Sequence, residues 1–329
     1  MTQEEENLTE LSRRILSIDV FKGLTVLVMV FLNSFHPYED VPVWTKHAGE
    51  YGLTYVDLIA TFFVFMYALN MNISYKRRVE KVGKKRALLR YIRRSLIFIG
   101  IGLVVTIYAG PEGFYFRWGT LQVLGFSGLM LLPLLALKPY VKLVFAIAFL
   151  ILHQIILSTP LRAVIFDSVE GGIFGIFSWG SMMFLVSFLA ESLSKGREYI
   201  KRYFLFGGII CLLLGIGSAF LWEVSRPYVS LPYILISVGV ASLIYLLIYY
   251  IYEEWGKNYN FVKKEKIFSA VGKNAFIFYL VHMMIAYTIY MIFPFDTSLL
   301  ILVPLAIVHT AFIWVLAYYM NKLEMFIVI

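Results

Sequence analysis

Residues 16–34 read LSIDVFKGLTVLVMVFLNS, and residues 52–74 read GLTYVDLIATFFVFMYALNMNIS. Each is apolar over about the 20 residues that a helix needs to cross the hydrocarbon core of a bilayer. Between them runs FHPYEDVPVWTKHAGEY, residues 35–51, a polar connection with two histidines and three acids. Two membrane-length helices joined by such a loop decide the fold class.

The rest of the 329-residue chain repeats that pattern. Hydrophobic residues make up 60% and charged residues 15%, against roughly 45–50% apolar in soluble domains; mean hydropathy is +0.78. The expected fold is all-α, a polytopic transmembrane bundle of about ten helices, near residues 15–35, 55–75, 95–110, 118–137, 142–158, 173–194, 203–222, 230–252, 274–293 and 298–320. The third and fifth are expected to be short. Residues 1–14 and 322–329 form polar or short tails around a membrane domain at 15–321. The first apolar run lacks a small-residue cleavage site and is expected to stay as an anchor.

Charge sets the orientation. On these spans only Lys46, Arg117, Arg162 and Arg226, of 29 Lys and Arg, fall on the side opposite the N-terminus. The stretch YKRRVEKVGKKRALLRYIRR, residues 75–94, exemplifies the basic side. The positive-inside rule puts that side, with both termini, in the cytoplasm and the loop bearing His47 outside. The protein is expected to be a multi-pass integral membrane protein, in the plasma membrane of a prokaryote. The net charge of +8 reads as topology signals and contacts with anionic membrane lipids. No aromatic-basic module accompanies it, so nucleic acid is not an expected partner.

Ionisable groups inside a membrane are costly and usually face the protein interior or water. Asp19 and Lys22 stand three apart and share one helix face; Asn33, eleven residues beyond Lys22, returns close to it at 100° per residue. A polar stripe therefore runs along the first helix, read either as a structural ion pair with an interhelical hydrogen bond or as the wall of a site. Gly23 on the same helix allows another helix or a ligand to approach closely. Asp57, just inside the second helix, either orients and charges the His47 imidazole or favours the helix N-terminus through the macrodipole.

Of five histidines, His153 and His309 look isolated in apolar helices, as packing or hydrogen-bonding residues. His36 precedes Pro37, which turns the chain away. His282 shares a helix with Asn274, and the two could reach a common interior site. His47 lies in the loop between the two polar-bearing helices. No spacing resembles a zinc site, so no metal is expected. There is no phosphate-binding loop of the ATPase type. The single cysteine, Cys211, rules out an internal disulfide.

SIDVFKGLTVLVMVFLN followed by KHAGEYGLTYVDLIATFFVFMYAL resembles the heparan-α-glucosaminide N-acetyltransferase family of polytopic membrane acyltransferases. FRWGTLQVLGF, FDSVEGGIFGIFSWGSMMFLVSFLAESL, SRPYVSLPYIL and GKNAFIFYLVH follow in the family's order, so the resemblance runs from about Arg14 to about Ile292. It implies transfer of an acetyl group from cytoplasmic acetyl-CoA to an amino sugar or glycan acceptor on the other side. Asn33 and His47 match the family's reaction centre, and Asp57 matches the acid after that His. Asn274, His282 and Arg117 match further polar positions, read with Lys22 and Asp19 as candidates for holding acetyl-CoA. The segment SFHPYEDVPVW and the residues EYG depart from the family pattern, and both lie where the acceptor would bind.

On this reading His47 is the general base, since a neutral imidazole accepts protons near neutral pH. Asn33 donates to the thioester oxygen or positions the acceptor, and Asp57 orients His47. An acetyl-His47 intermediate is the other chemical route. A transporter or flippase for a glycan or lipid intermediate is the competing function, as is O-acylation of a hydroxyl acceptor by the same scaffold. A homo-oligomer is compatible with the sequence.

Overall fold

The computed structural model describes residues 15–110, 113–166 and 170–327. Helix α1 spans Leu16–Asn33. A one-turn 3-10 helix at Tyr55–Asp57 leads into α2 (Leu58–Val82), followed by α3 (Lys84–Val105). Strands β1 (Ile107–Gly110) and β2 (Gly113–Phe116) pair antiparallel, Ile107 opposite Phe116. Then come α4 (Thr120–Leu131), α5 (Pro139–Leu157), the short α6 (Arg162–Phe166), α7 (Gly175–Ala190) and α8 (Arg197–Ser218). Helix α9 (Leu231–Tyr249) continues as a π-helical segment, Tyr250–Trp255. The chain closes with α10 (Asn260–Lys263), α11 (Ile267–Lys273), α12 (Ala275–Ile292) and α13 (Leu299–Lys322).

Among the described residues eight helices are long and apolar enough to cross a membrane. The two of the ten expected spans that fall short do so for different reasons. Helix α3 is 22 residues long, but its first half carries Lys84, Lys85, Arg86, Arg90, Arg93 and Arg94. The apolar helix at Thr120–Leu134 is below membrane length. The fifth helix, expected to be short, is a full 19 residues. The third begins well before residue 95, and residues 107–110, expected to finish it, form β1 instead. Gly110 and Pro111 explain the change, because glycine lowers helix propensity and proline disfavours a helical conformation in the residue before it.

The chain divides into two compact units. One holds Gly49–Leu53 and Ala60–Leu243; the other holds Ile15–Ala48, Thr54–Ile59 and the residues from Ile244 onward. In the first, α5 packs on α7 and α3 on α4, with α4 also against α7. Its interior contains a charged group: Lys142, fully buried, contacts Glu191 at 2.5 Å, and Lys76 contacts the other carboxylate oxygen at 2.7 Å.

In the second unit α1 is the central helix, packed against α11, α13 and α12. Ile15 offers no side-chain cap, and the carboxylate of Glu253 in the π-helical segment accepts from the Ser17 N–H at 3.0 Å, which suits the positive end of a helix. The α1–α11 crossing is backbone on backbone. A Cβ at Gly23 would stand 1.8 Å from the Phe268 carbonyl oxygen, and one at Gly272 would stand 1.8 Å from the Asp19 carbonyl oxygen. The close approach that Gly23 permits is thus that of helix α11. Gly23→Ala is expected to force the two helices apart and destabilise the protein by about 1–3 kcal/mol, the range for overpacking. Thermal unfolding of the purified variant in detergent checks this; an unchanged midpoint would contradict the crossing.

Candidate functional site

Every residue of the site described next belongs to the second unit. Helix α1 ends at Asn33, and the chain turns at once, with the His36 N–H donating to the Leu32 carbonyl at 2.9 Å. The loop is then fastened to the far end of the chain. Glu39 N–H donates to the Phe295 carbonyl at 2.8 Å, and the Leu299 N–H donates to the Asp40 carboxylate at 2.9 Å. Pro42 starts a short 3-10 turn, Val43–Thr45, whose Thr45 hydroxyl donates to the Pro42 carbonyl at 2.7 Å.

After this turn His47 meets Asp57. The imidazole Nδ1 lies 2.8 Å from Asp57 Oδ1. Asp57 is fully buried, while the His47 side chain keeps 30% of its surface exposed. The second carboxylate oxygen accepts from the Thr54 N–H at 2.8 Å and the Ala48 N–H at 3.2 Å. Asp57 therefore does both things its position allowed: it binds backbone N–H groups at a helix start and holds the imidazole. A carboxylate takes only donors, so Nδ1 carries the ring proton in this hydrogen bond, which leaves Nε2 as the acceptor of the neutral ring. The Thr54 hydroxyl, donating to the Lys46 carbonyl at 2.8 Å, closes the loop beside the dyad.

A second polar pair forms at the end of α1. Asn33 Nδ2 lies 3.2 Å from His282 Nε2, and His282 Nδ1 lies 3.2 Å from the Phe278 carbonyl oxygen. The carbonyl can only accept, so Nδ1 is the protonated nitrogen and Nε2 accepts from the Asn33 amide. Tyr290 donates its hydroxyl to the Asn33 carbonyl oxygen. His282 is fully buried. Its ring also lies against that of His309, centroids 6.5 Å apart, and His309 Nδ1 is 2.9 Å from the Ser34 hydroxyl. His36 lies between the two pairs in sequence, and its ring packs edge-to-face on His47 with centroids 5.3 Å apart.

The remaining candidates take other positions. Lys22 and Asp19 form an ion pair at 3.1 Å, with Lys22 19% and Asp19 4% exposed. Asn274 is buried and engaged with the tail: its amide donates to the Met325 carbonyl at 2.9 Å and accepts from the Ile327 N–H at 3.0 Å. Asn274 thus binds the end of the chain while His282, two turns along, binds Asn33. Arg117 belongs to the first unit, after β2, where its N–H donates to the Thr106 carbonyl at 3.0 Å.

Sequence reasoning passed over Ser34 and Tyr290, and it set aside His36 as turned away and His309 as isolated. His309 is not isolated, but its partner Ser34 lies 275 positions away, and no local spacing signals such a contact. His153, by contrast, is held between the Phe174 and Tyr228 carbonyls at 3.1 and 2.8 Å, a structural placement.

The first unit fixes the segment just after the dyad loop. Glu50 accepts from the Tyr228 hydroxyl at 2.9 Å and lies 3.6 Å from Arg162. The Ser225 hydroxyl donates to the Glu50 carbonyl at 2.6 Å, and the Gly52 N–H to the Val224 carbonyl at 2.8 Å. Hydrogen bonds from Tyr51 and Tyr228, with the Arg162 charge, hold the Glu50 carboxyl below its ordinary range. The sign is that of a depressed carboxylate: the clamp is intact above the ordinary pKa and is lost only as pH falls through the lowered one.

Residues 14–284 match the family model described as heparan-alpha-glucosaminide N-acetyltransferase, catalytic. The chain is 34% identical over 100 residues to the Homo sapiens protein named heparan-alpha-glucosaminide N-acetyltransferase, covering 30% of this chain and 14% of that one. It is 31% identical over 96 residues to the Mus musculus protein of the same name, covering 29% and 14%. The aligned stretch thus spans 14% of the length of either relative.

Proposed function

The chain belongs to the heparan-alpha-glucosaminide N-acetyltransferase catalytic family, and from that premise we propose that it is a transmembrane acetyltransferase. It moves the acetyl group of cytoplasmic acetyl-CoA to the amine of an amino sugar or glycan on the extracytoplasmic face. The transferase body is residues 15–321, with both termini in the cytoplasm, in the plasma membrane of a prokaryote.

The observation that carries this reading is the 2.8 Å hydrogen bond between His47 and Asp57. An imidazole oriented at Nδ1 by a buried carboxylate, with Nε2 free to accept, is the arrangement a general base requires. The acceptor nitrogen attacks the thioester carbonyl carbon as His47 Nε2 takes its proton. The C–N bond forms, the carbonyl re-forms as the C–S bond breaks, and the CoA thiolate leaves and takes that proton from the imidazolium. The positive ring is stabilised by Asp57. Of the two Asn33 amide hydrogens one is directed at His282, and the other serves the developing oxyanion. Lys22, near the start of α1, is the cation assigned to the CoA phosphates.

Asn33→Ala is expected to lower kcat by about 10²–10³, the loss for one oxyanion donor, while the KM for acetyl-CoA moves little. An unchanged kcat would remove Asn33 from the reaction centre. The activity itself is tested with purified protein, acetyl-CoA and glucosamine: thiol release and N-acetyl product should both require the protein. Absence of both would overturn the assignment.

A further inference from the structure

Two turns of the dyad loop lie side by side, and three contacts join them. The His47 imidazole meets Asp57 at 2.8 Å, the Lys46 carbonyl accepts from the Thr54 hydroxyl at 2.8 Å, and the rings of Trp44 and Tyr55 stand 6.2 Å apart, tilted by 41°. The first two contacts are those of the reaction dyad and its support. The third is an aromatic pair that the chemistry does not use. Trp44 is 68% exposed and Tyr55 44% exposed, so neither ring serves the core. Both are held by the same pinned backbone that aims His47.

We propose that Trp44 and Tyr55 form the acceptor subsite, a platform on which one face of a pyranose ring stacks while its amine is presented to His47. Exposed aromatic rings suit this because they offer a rigid apolar face to the axial C–H groups of a sugar at low conformational cost, leaving the hydroxyls in water. The ring pair and the dyad belong to the same two short segments, residues 44–47 and 54–57, which the Lys46–Thr54 hydrogen bond also joins. Exposed Trp and Tyr are also common membrane-interface anchors, and the test distinguishes the two roles.

The inference rests on the acetyltransferase reading, so the test has one arm that needs no catalysis. Tryptophan emission of the detergent-purified protein is titrated with methyl α-glucosaminide, alongside Trp44→Phe. Quenching in the wild type that is lost in Trp44→Phe supports the platform; equal responses overturn it, whether or not the protein transfers acetyl groups. In the catalytic arm Trp44→Ala is expected to raise the KM for methyl α-glucosaminide about tenfold, the upper end for loss of one stacked ring, with the KM for acetyl-CoA unmoved. Trp44→Tyr should restore most of the loss. A wild type inactive toward every amine would refute the acetyltransferase reading alone. An active wild type with unchanged acceptor KM in Trp44→Ala would overturn the proposal and leave Trp44 the role of an interfacial anchor.

Discussion

Replacing His47 with Ala is expected to abolish nearly all acetyl transfer, with kcat falling about 10²–10⁴-fold, the contribution of a positioned general base. The fall should appear in kcat, because the proposed role of His47 is to act on the proton that moves in the transition state. His47 keeps 30% of its side-chain surface exposed, so its removal leaves little void in the core and the variant should unfold at nearly the wild-type temperature. Asp57→Asn tests the same dyad from below. It keeps the shape of the side chain but removes the charge that holds the imidazole and stabilises its protonated form, so kcat should lie between those of His47→Ala and the wild type. A His47→Ala protein with normal kcat would sink the mechanism.

The largest effect on stability is expected at Glu191. Its carboxylate lies between the ammonium groups of Lys142 and Lys76, and Lys142 is 0% exposed. Glu191→Ala would leave the Lys142 charge inside the α5–α7 packing with no anion, at a cost of about 3–5 kcal/mol. Lys142→Met should cost much less, because Glu191 keeps Lys76, whose side chain is 36% exposed, and a methionine fills similar volume with no charge to desolvate. The double variant, Lys142→Met with Glu191→Ala, should therefore be more stable than Glu191→Ala alone. Thermal unfolding of the three purified proteins gives the order directly. Equal losses in Glu191→Ala and the double variant would mean that the buried charge is not the source of the cost.

The parts of this molecule that sequence discloses are those set by local spacing. Membrane-length apolar runs mark the helices, and Asp19 and Lys22, three apart on one helix, do form an ion pair. His47 and Asp57, ten residues apart across one loop, are near enough in the chain to be considered together. Contacts that join distant segments leave no such mark. Asn33 and His282 are separated by 249 positions. Gly23 shows only that something comes close, and the fold supplies the identity of that neighbour, the Phe268 carbonyl. Asn274 looks like a companion of His282 because both are polar on an apolar stretch, yet its amide holds Met325 and Ile327. Residues 107–110 looked like the end of a helix because hydropathy does not separate a short apolar strand from a helix turn, and the deciding signal was Gly110 with the Pro111 that follows it.

Acetyl transfer across a sealed bilayer tests the central claim most directly. Purified protein is reconstituted in proteoliposomes of determined orientation, with radiolabelled acetyl-CoA on the face bearing the basic loops and glucosamine confined to the opposite face. Labelled N-acetylglucosamine is expected to accumulate on the His47 face, while free CoA accumulates on the side of the donor. The signal should vanish in His47→Ala vesicles. Product appearing only when donor and acceptor share one compartment, or no product at all, would contradict transmembrane acetyl transfer.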